Sequence, residues 1–172
     1  MHLRCKLWSD DHMQLTRFTD IGLRVVMRLA VSDGSMTTRV LAEEMAVPYT
    51  HVTKVTGRLA ELGVVHSRRG RAGGLVITEL GRTARIGWLA ASLEGDGEVV
   101  DCDGETPCPL RRACRLRGAL AAARRAFFDS LDDVTVGDLV IDPTGAVLLS
   151  LDSPRRAEAT THGRAESHSQ AE

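Results

Sequence analysis

YTHVTKVTGRLAELGVVHSRRGRAGGLVIT, residues 49–78, decides the fold. Its first half sets Val52, Val55, Leu59 and Leu62 at three- and four-residue steps, which is one face of a helix over 49–62. Pro48 suits the first turn of that helix and pushes Val47 off the helical region. Gly63 closes the helix as a C-cap. The second half is two short apolar segments, 64–67 and 75–78, on either side of a Gly/Arg tip at 68–74. That pattern predicts a β-hairpin.

Working outward, residues 15–30 (LTRFTDIGLRVVMRLA) carry Phe18, Ile21, Val25 and Leu29 at helical spacing, with Leu23 and Val26 beside them. Ser32-Asp33-Gly34-Ser35 ends this helix. Residues 37–46 predict a second, short helix, capped by Thr37 or Thr38, with Val40, Leu41 and Met45 on its inner face. Three helices and then a hairpin is the winged helix-turn-helix order. A fourth helix is expected over 79–93. The stretch 94–105 holds six acids and three glycines in twelve residues and predicts a loop.

Pro109 can open a long helix through 131, with Leu116, Leu120, Ala123, Phe127 and Leu131 forming one apolar stripe. Such a stripe is buried most simply against a copy of the same chain, making a homodimer. Folding back onto its own domain is the alternative. Short apolar segments follow at 134–141 and 147–151. The expected organisation is therefore a disordered leader at 1–12, with Met13 as an alternative start, and a winged-helix DNA-binding domain at 13–93. A cysteine loop at 94–114, a dimerisation helix region at 109–140 and a largely disordered tail at 141–172 complete it. The fold class is mainly α, with a β-hairpin wing.

Composition narrows the function. The 172-residue chain has a net charge of −1, so any nucleic-acid surface must be a local patch. Trp8, Trp88, Tyr49, Phe18, Phe127 and Phe128 are the only aromatics, leaving Leu, Val and Ala to build a helical core. Residues 1–12 have no apolar h-region, and no run approaches a membrane span. The expected setting is the reducing cytoplasm, with no membrane partner. No Ser/His/Asp set or phosphate loop points to an enzyme; Gly70–Gly74 lacks the strand-loop-helix context of a nucleotide site.

The second helix of a helix-turn-helix enters the DNA major groove with its N-terminal residues nearest the bases. Here those are Tyr49, Thr50 and His51, with Thr53 and Lys54 one turn on and Arg58 beyond. Arg68, Arg69 and Arg71 at the wing tip can track phosphates or enter a narrow minor groove. Residues 49–74 contain five Lys/Arg and one acid, a basic segment in a near-neutral chain. Double-stranded DNA is the expected partner.

Cys102, Cys108 and Cys114 form a C-x5-C-x5-C pattern in CDGETPCPLRRAC. Structural zinc sites use tighter cysteine pairs, and a disulfide would leave one thiol over. Iron–sulfur clusters are wider and accept three thiolates from a long loop. Arg111, Arg112, Arg115 and Arg117 follow at once, and the helix expected from Pro109 would aim its N-terminal dipole at the thiolates. A zinc-stabilised interaction module and an iron–sulfur redox protein remain open.

LTRFTDIGLRVVMRLA, VPYTHVTKV, RRGRAGGL and the cysteine loop, in that order, resemble the Rrf-two family of bacterial regulators over residues 13 to about 140. The closest likeness is to its nitric-oxide-sensing branch. The resemblance implies a homodimeric repressor whose long C-terminal helices cross, bound to a near-palindromic operator and sensitive to nitric oxide. It implies a 4Fe–4S cluster, with 2Fe–2S or a redox- or iron-sensing role as the alternative. One branch takes its fourth ligand from a histidine shortly after the third cysteine; here the next histidine is His162, far downstream. The nitric-oxide branch implies a carboxylate from the partner's first helix, which matches Asp20. By the same match Arg24, Glu105 and Asp138 would pair around the cluster.

Overall fold

Four helices begin at a threonine whose hydroxyl accepts an amide N–H three residues on: Thr16, Thr37, Thr78 and Thr135. A computed structural model describes residues 15–70 and 73–151 of the chain. The order is α1 (Arg17–Ala30), α2 (Thr38–Glu44), α3 (Tyr49–Glu61), β1 (Val65–Arg68), β2 (Gly74–Ile77), α4 (Glu79–Thr83) and α5 (Ile86–Glu94). Then follow α6 (Arg115–Asp129), α7 (Val136–Leu139) and α8 (Thr144–Ser150). The order of elements is that of a winged helix-turn-helix.

The apolar stripes converge as their spacing predicts. Ile21, Val25, Val26 and Leu29 of α1 meet Leu41 of α2, Val52, Val55 and Leu59 of α3, and Leu89 and Leu93 of α5 in one core. Arg28 is buried within it and pairs with Glu44 at 2.7 Å, binding α1 to α2. Among the described residues no buried side-chain polar atom lacks a partner. Val40, expected on the inner face of α2, is instead 37% exposed, and Ala42 takes its place against the core.

β1 and β2 pair antiparallel, with Val65 opposite Ile77 and Arg68 opposite Gly74. Met36 adds a third edge: its N–H donates to the Leu75 carbonyl at 3.0 Å, and the Leu75 N–H donates back at 2.8 Å. Position 74 must be glycine, because a Cβ there would stand 2.8 Å from the Met36 carbonyl oxygen.

The helix expected over 79–93 is two helices. The Ala84 carbonyl accepts the Val136 N–H at 3.0 Å, and the Ile86 N–H donates to the Val134 carbonyl at 2.9 Å. This pairing of Arg85 with Thr135 holds the backbone extended at the break. The long helix also starts later than Pro109. Residues 109–113 form turns closed by Arg111 N–H to Cys108 carbonyl (3.2 Å) and Ala113 N–H to Leu110 carbonyl (3.0 Å). Cys114 is the N-cap of α6.

The two fates weighed for the α6 stripe are divided between neighbouring residues. At its C-terminal end Phe128 is buried, and Leu131, Val134 and Val136 join the head's core. On the stripe itself Leu116 is 62% exposed and Phe127, beside Phe128, is 41% exposed. Within the region 141–151 α8 lies against α1, with Val147 and Leu149 left exposed. Residues 1–14 and 152–172, which hold the expected leader and the rest of the tail, lie outside the described residues.

Candidate nucleic-acid interface and cysteine loop

α3 lies across α1 and α2, so burial of Val52, Val55 and Leu59 turns its other face outward. Tyr49, Thr50, Thr53 and Lys54 are exposed there, and His51 is half-buried. The Thr53 hydroxyl donates to the Tyr49 carbonyl at 3.0 Å, leaving its oxygen lone pairs outward. Arg58 departs from the rest. Its guanidinium bonds Glu61 at 3.0 Å and the Ser92 carbonyl at 3.4 Å, tying α3 to α5. Arg68 and Arg69 are exposed on the wing. Arg71 lies outside the described residues.

In the cysteine loop, the Cys108 N–H donates to the Cys102 carbonyl at 3.0 Å and closes the first five-residue interval. Cys102 is buried, Cys108 and Cys114 are half-buried, and all three are free thiols. Cys114 stands at the positive end of the α6 dipole. Burial pushes the Cys102 thiol up from its ordinary value, and the Cys108 and Cys114 sulfurs and Glu98 push the same way, while Arg117 opposes them. Cys108 and Cys114 are thus each within electrostatic reach of Cys102.

A shallow depression of about 370 Å³ opens beside Cys102, lined by Glu98, Val100, Asp101 and Asp103. Among the described residues no three His, Cys, Asp or Glu side chains converge as a single metal ion would require. Of the three cysteines Cys102 alone lines the depression, and three thiols at five-residue intervals on one loop are a donor set of the kind iron–sulfur clusters accept.

Two arginines hold the loop. The Arg117 Nε donates to Glu98 at 2.9 Å, and its Nη2 reaches both Glu98 and, at 3.1 Å, Asp103. Glu98 raises the basicity of that guanidinium further. Arg111 stands 3.5 Å from Asp103. Arg112 and Arg115 are exposed.

Asp20 lies in the first turn of α1, half-exposed, with its carboxylate 2.8 Å from the Arg24 Nε. The structure therefore brings Asp20 and Arg24 together. Asp138 is engaged elsewhere: with Thr135 it forms the capping box of α7, and the Thr135 hydrogen bonds hold its carboxyl below the usual range. Glu105 is exposed on the loop. Among the described residues no hydrogen bond or ion pair joins Glu105 or Asp138 to a cysteine, Asp20 or Arg24.

Glu94 was not among the expected residues. Its carboxylate accepts the Thr16 N–H at 2.7 Å, the Thr16 hydroxyl at 2.5 Å and the Thr19 hydroxyl at 2.9 Å. The root of the cysteine loop is thereby tied to the start of α1, one turn from Asp20. The partners are more than seventy residues apart in sequence, and no local pattern announces them. No helix among the described residues is long and apolar enough to cross a membrane.

Residues 15–142 match the Rrf2 family model, described as an iron-dependent transcriptional regulator. The chain is 58% identical over 142 residues to the HTH-type transcriptional repressor NsrR of Streptomyces coelicolor, covering 81% of this chain and 96% of that protein. It is 37% identical over 134 residues to the HTH-type transcriptional regulator NsrR of Shouchella clausii, covering 76% and 90%. Among solved structures it is similar to T. potens IscR, with TM-score 0.58, 18% identity and coverage of 77% and 90%. It is also similar to a transcriptional regulator from Listeria innocua, with TM-score 0.55, 23% identity and coverage of 90% and 96%.

Proposed function

The chain belongs to the Rrf2 family of transcriptional regulators, and we propose that it is a homodimeric DNA-binding repressor gated by a nitric-oxide-sensitive 4Fe–4S cluster. One observation carries this reading. The three-thiol loop is rooted by Glu94 on the start of α1, and α1 packs on the DNA-reading helix α3. The likeness to proteins named NsrR agrees with it.

Cys102, Cys108 and Cys114, once deprotonated, would hold the cluster. Asp20 of the partner subunit would supply the fourth ligand, with its neighbour Arg24 setting the carboxylate's direction. Glu105 and the α7 cap residue Asp138 stand in the surrounding shell. When bound, the cluster would supply iron reactive toward nitric oxide. Asp20 would in this way link one subunit's head to the other's loop. The exposed face of α6, with Leu116 and Phe127, meets its copy and sets the spacing of the two heads. Tyr49, Thr50, His51, Thr53 and Lys54 then face one major-groove half-site, with Arg58 bracing the helix from behind. Arg68, Arg69 and Arg71 reach the flanking backbone or minor groove. Two half-sites a helical turn or more apart make the operator near-palindromic. A coupling of ~1–3 kcal/mol between effector and DNA suffices to change occupancy usefully. Cytoplasmic conditions keep the thiols reduced.

Anaerobic purification, with iron and sulfide counts and nitric-oxide titration of the visible spectrum, tests this reading. Counts matching 4Fe–4S and a spectrum bleached by nitric oxide are expected. Bleaching by oxidants or iron chelation but not by nitric oxide would move the protein to a redox- or iron-sensing role. A colourless preparation would favour the zinc module. Asp20→Ala should alter the spectrum and weaken operator binding; no change in either removes Asp20 as ligand.

A further inference from the structure

Arg39 is absent from the DNA-reading set above, yet its position asks for a role. It lies in the first turn of α2, exposed, with its guanidinium carbon 5.8 Å from the centre of the Tyr49 ring. Glu43 is one helical turn further along and is the carboxylate it would pair with on a simple surface helix. No ion pair forms between them, nor between Arg39 and any described acid. The guanidinium is instead placed over the aromatic face of the residue that begins the recognition helix.

A charged group stacked on a ring loses rotational freedom while keeping its N–H fork directed outward. Tyr49 is 51% exposed, so the ring and the cation share one open surface. In a helix-turn-helix the helix preceding the recognition helix crosses the DNA backbone. An exposed, unpaired guanidinium there, braced against the leading edge of α3, has the chemistry of a phosphate clamp.

We propose that Arg39 and Tyr49 act as one unit, Tyr49 orienting the Arg39 guanidinium to grip a DNA phosphate at the edge of the major groove. The inference rests on the DNA-binding reading. It assigns Arg39 to affinity and register, not to base choice, since phosphate contacts carry no sequence information directly.

The test is the salt dependence of operator affinity for the cluster-loaded protein, with Arg39→Gln and Arg39→Ala compared with wild type, Lys54→Ala and scrambled duplex. Each neutralised phosphate contributes ~0.9 to the slope of log affinity against log salt. Both Arg39 variants should lower the slope by about one such step and weaken operator and scrambled duplex by a similar factor, roughly three- to ten-fold. Tyr49→Phe, which keeps the ring, should preserve the Arg39 effect. In a Tyr49→Ala background the Arg39 substitution should cost much less than in wild type. An unchanged slope in both Arg39 variants, with Lys54→Ala still lowering it, overturns the clamp while leaving DNA binding intact. Equal Arg39 effects with and without the ring overturn the coupling. Wild-type protein with no salt-sensitive DNA affinity removes the clamp together with the reading beneath it.

Discussion

In the winged-helix head, Val25, Val52, Val55 and Leu59 have no exposed surface. In the loop at 94–114, Cys102 is the one buried residue. The head takes its shape from apolar surface removed from water, at roughly 25 cal/mol per Å². The loop takes its shape from Arg117 and Arg111 gripping Glu98 and Asp103 near the surface, contacts worth about 0–1 kcal/mol each. A DNA-reading surface must hold one geometry, and under the proposed function the loop must change when its ligand is lost. The two regions meet at Glu94, which ends α5, opens the loop and caps α1.

Substitutions separate the two regions by size of effect. Glu44→Ala leaves the buried Arg28 guanidinium unpaired, and a broken buried pair typically costs ~3–5 kcal/mol. Urea unfolding should show a loss of that order, and a loss below ~1 kcal/mol would contradict the account of the head. Gly87→Ala should cost about 1–3 kcal/mol, the usual penalty of overpacking. A Cβ there would collide with the Phe128 carbonyl oxygen and come within 2.5 Å of the Asp132 carboxylate, prising α6 from α5. Arg117→Ala should cost under ~1 kcal/mol of global stability. Its effect should appear instead in hydrogen exchange: the Cys108 amide, bonded to the Cys102 carbonyl, should exchange much faster while the amides of α1 and α3 do not. Equal loosening of the head would blur the distinction between the regions.

The smallest effect concerns acid. The folded-state pKa of Asp138 lies below its ordinary 3.8 because the charged carboxylate accepts the Thr135 hydrogen bonds. Its contribution is therefore complete above about pH 4 and is lost as pH falls through the folded value. Asp138→Ala should lower stability slightly at neutral pH and flatten the fall in stability below about pH 4. An unaltered acid limb would show that the cap contributes nothing.

Much of the head was legible in the sequence because its signals are local. The stripe at Ile21, Val25 and Leu29, Pro48 before α3, Gly63 after it and the glycines of the wing each act within a few residues. The break at Ala84 and Arg85 was not legible, since its cause is a backbone pairing with Thr135 from the other end of the fold. Glu94 was hidden for the same reason: in sequence it is one acid among six. Of the site, the three thiols stand out by spacing alone. Asp20 does not, because a carboxylate in the first turn of a helix is ordinary and only the family resemblance singles it out. Arg58 looked free by periodicity, but its long side chain reaches Ser92 on a helix that local pattern cannot place.

The central claim is that the state of the cysteine loop controls the hold on DNA. The direct measurement is anaerobic fluorescence anisotropy on a duplex selected from random sequence by the cluster-loaded protein. One preparation is titrated before nitric oxide, after it, and after removal of the cluster. The account predicts tight binding by the loaded form and at least about tenfold weaker binding by the other two, which is ~1.4 kcal/mol of coupling. Equal affinity in all three states would contradict it.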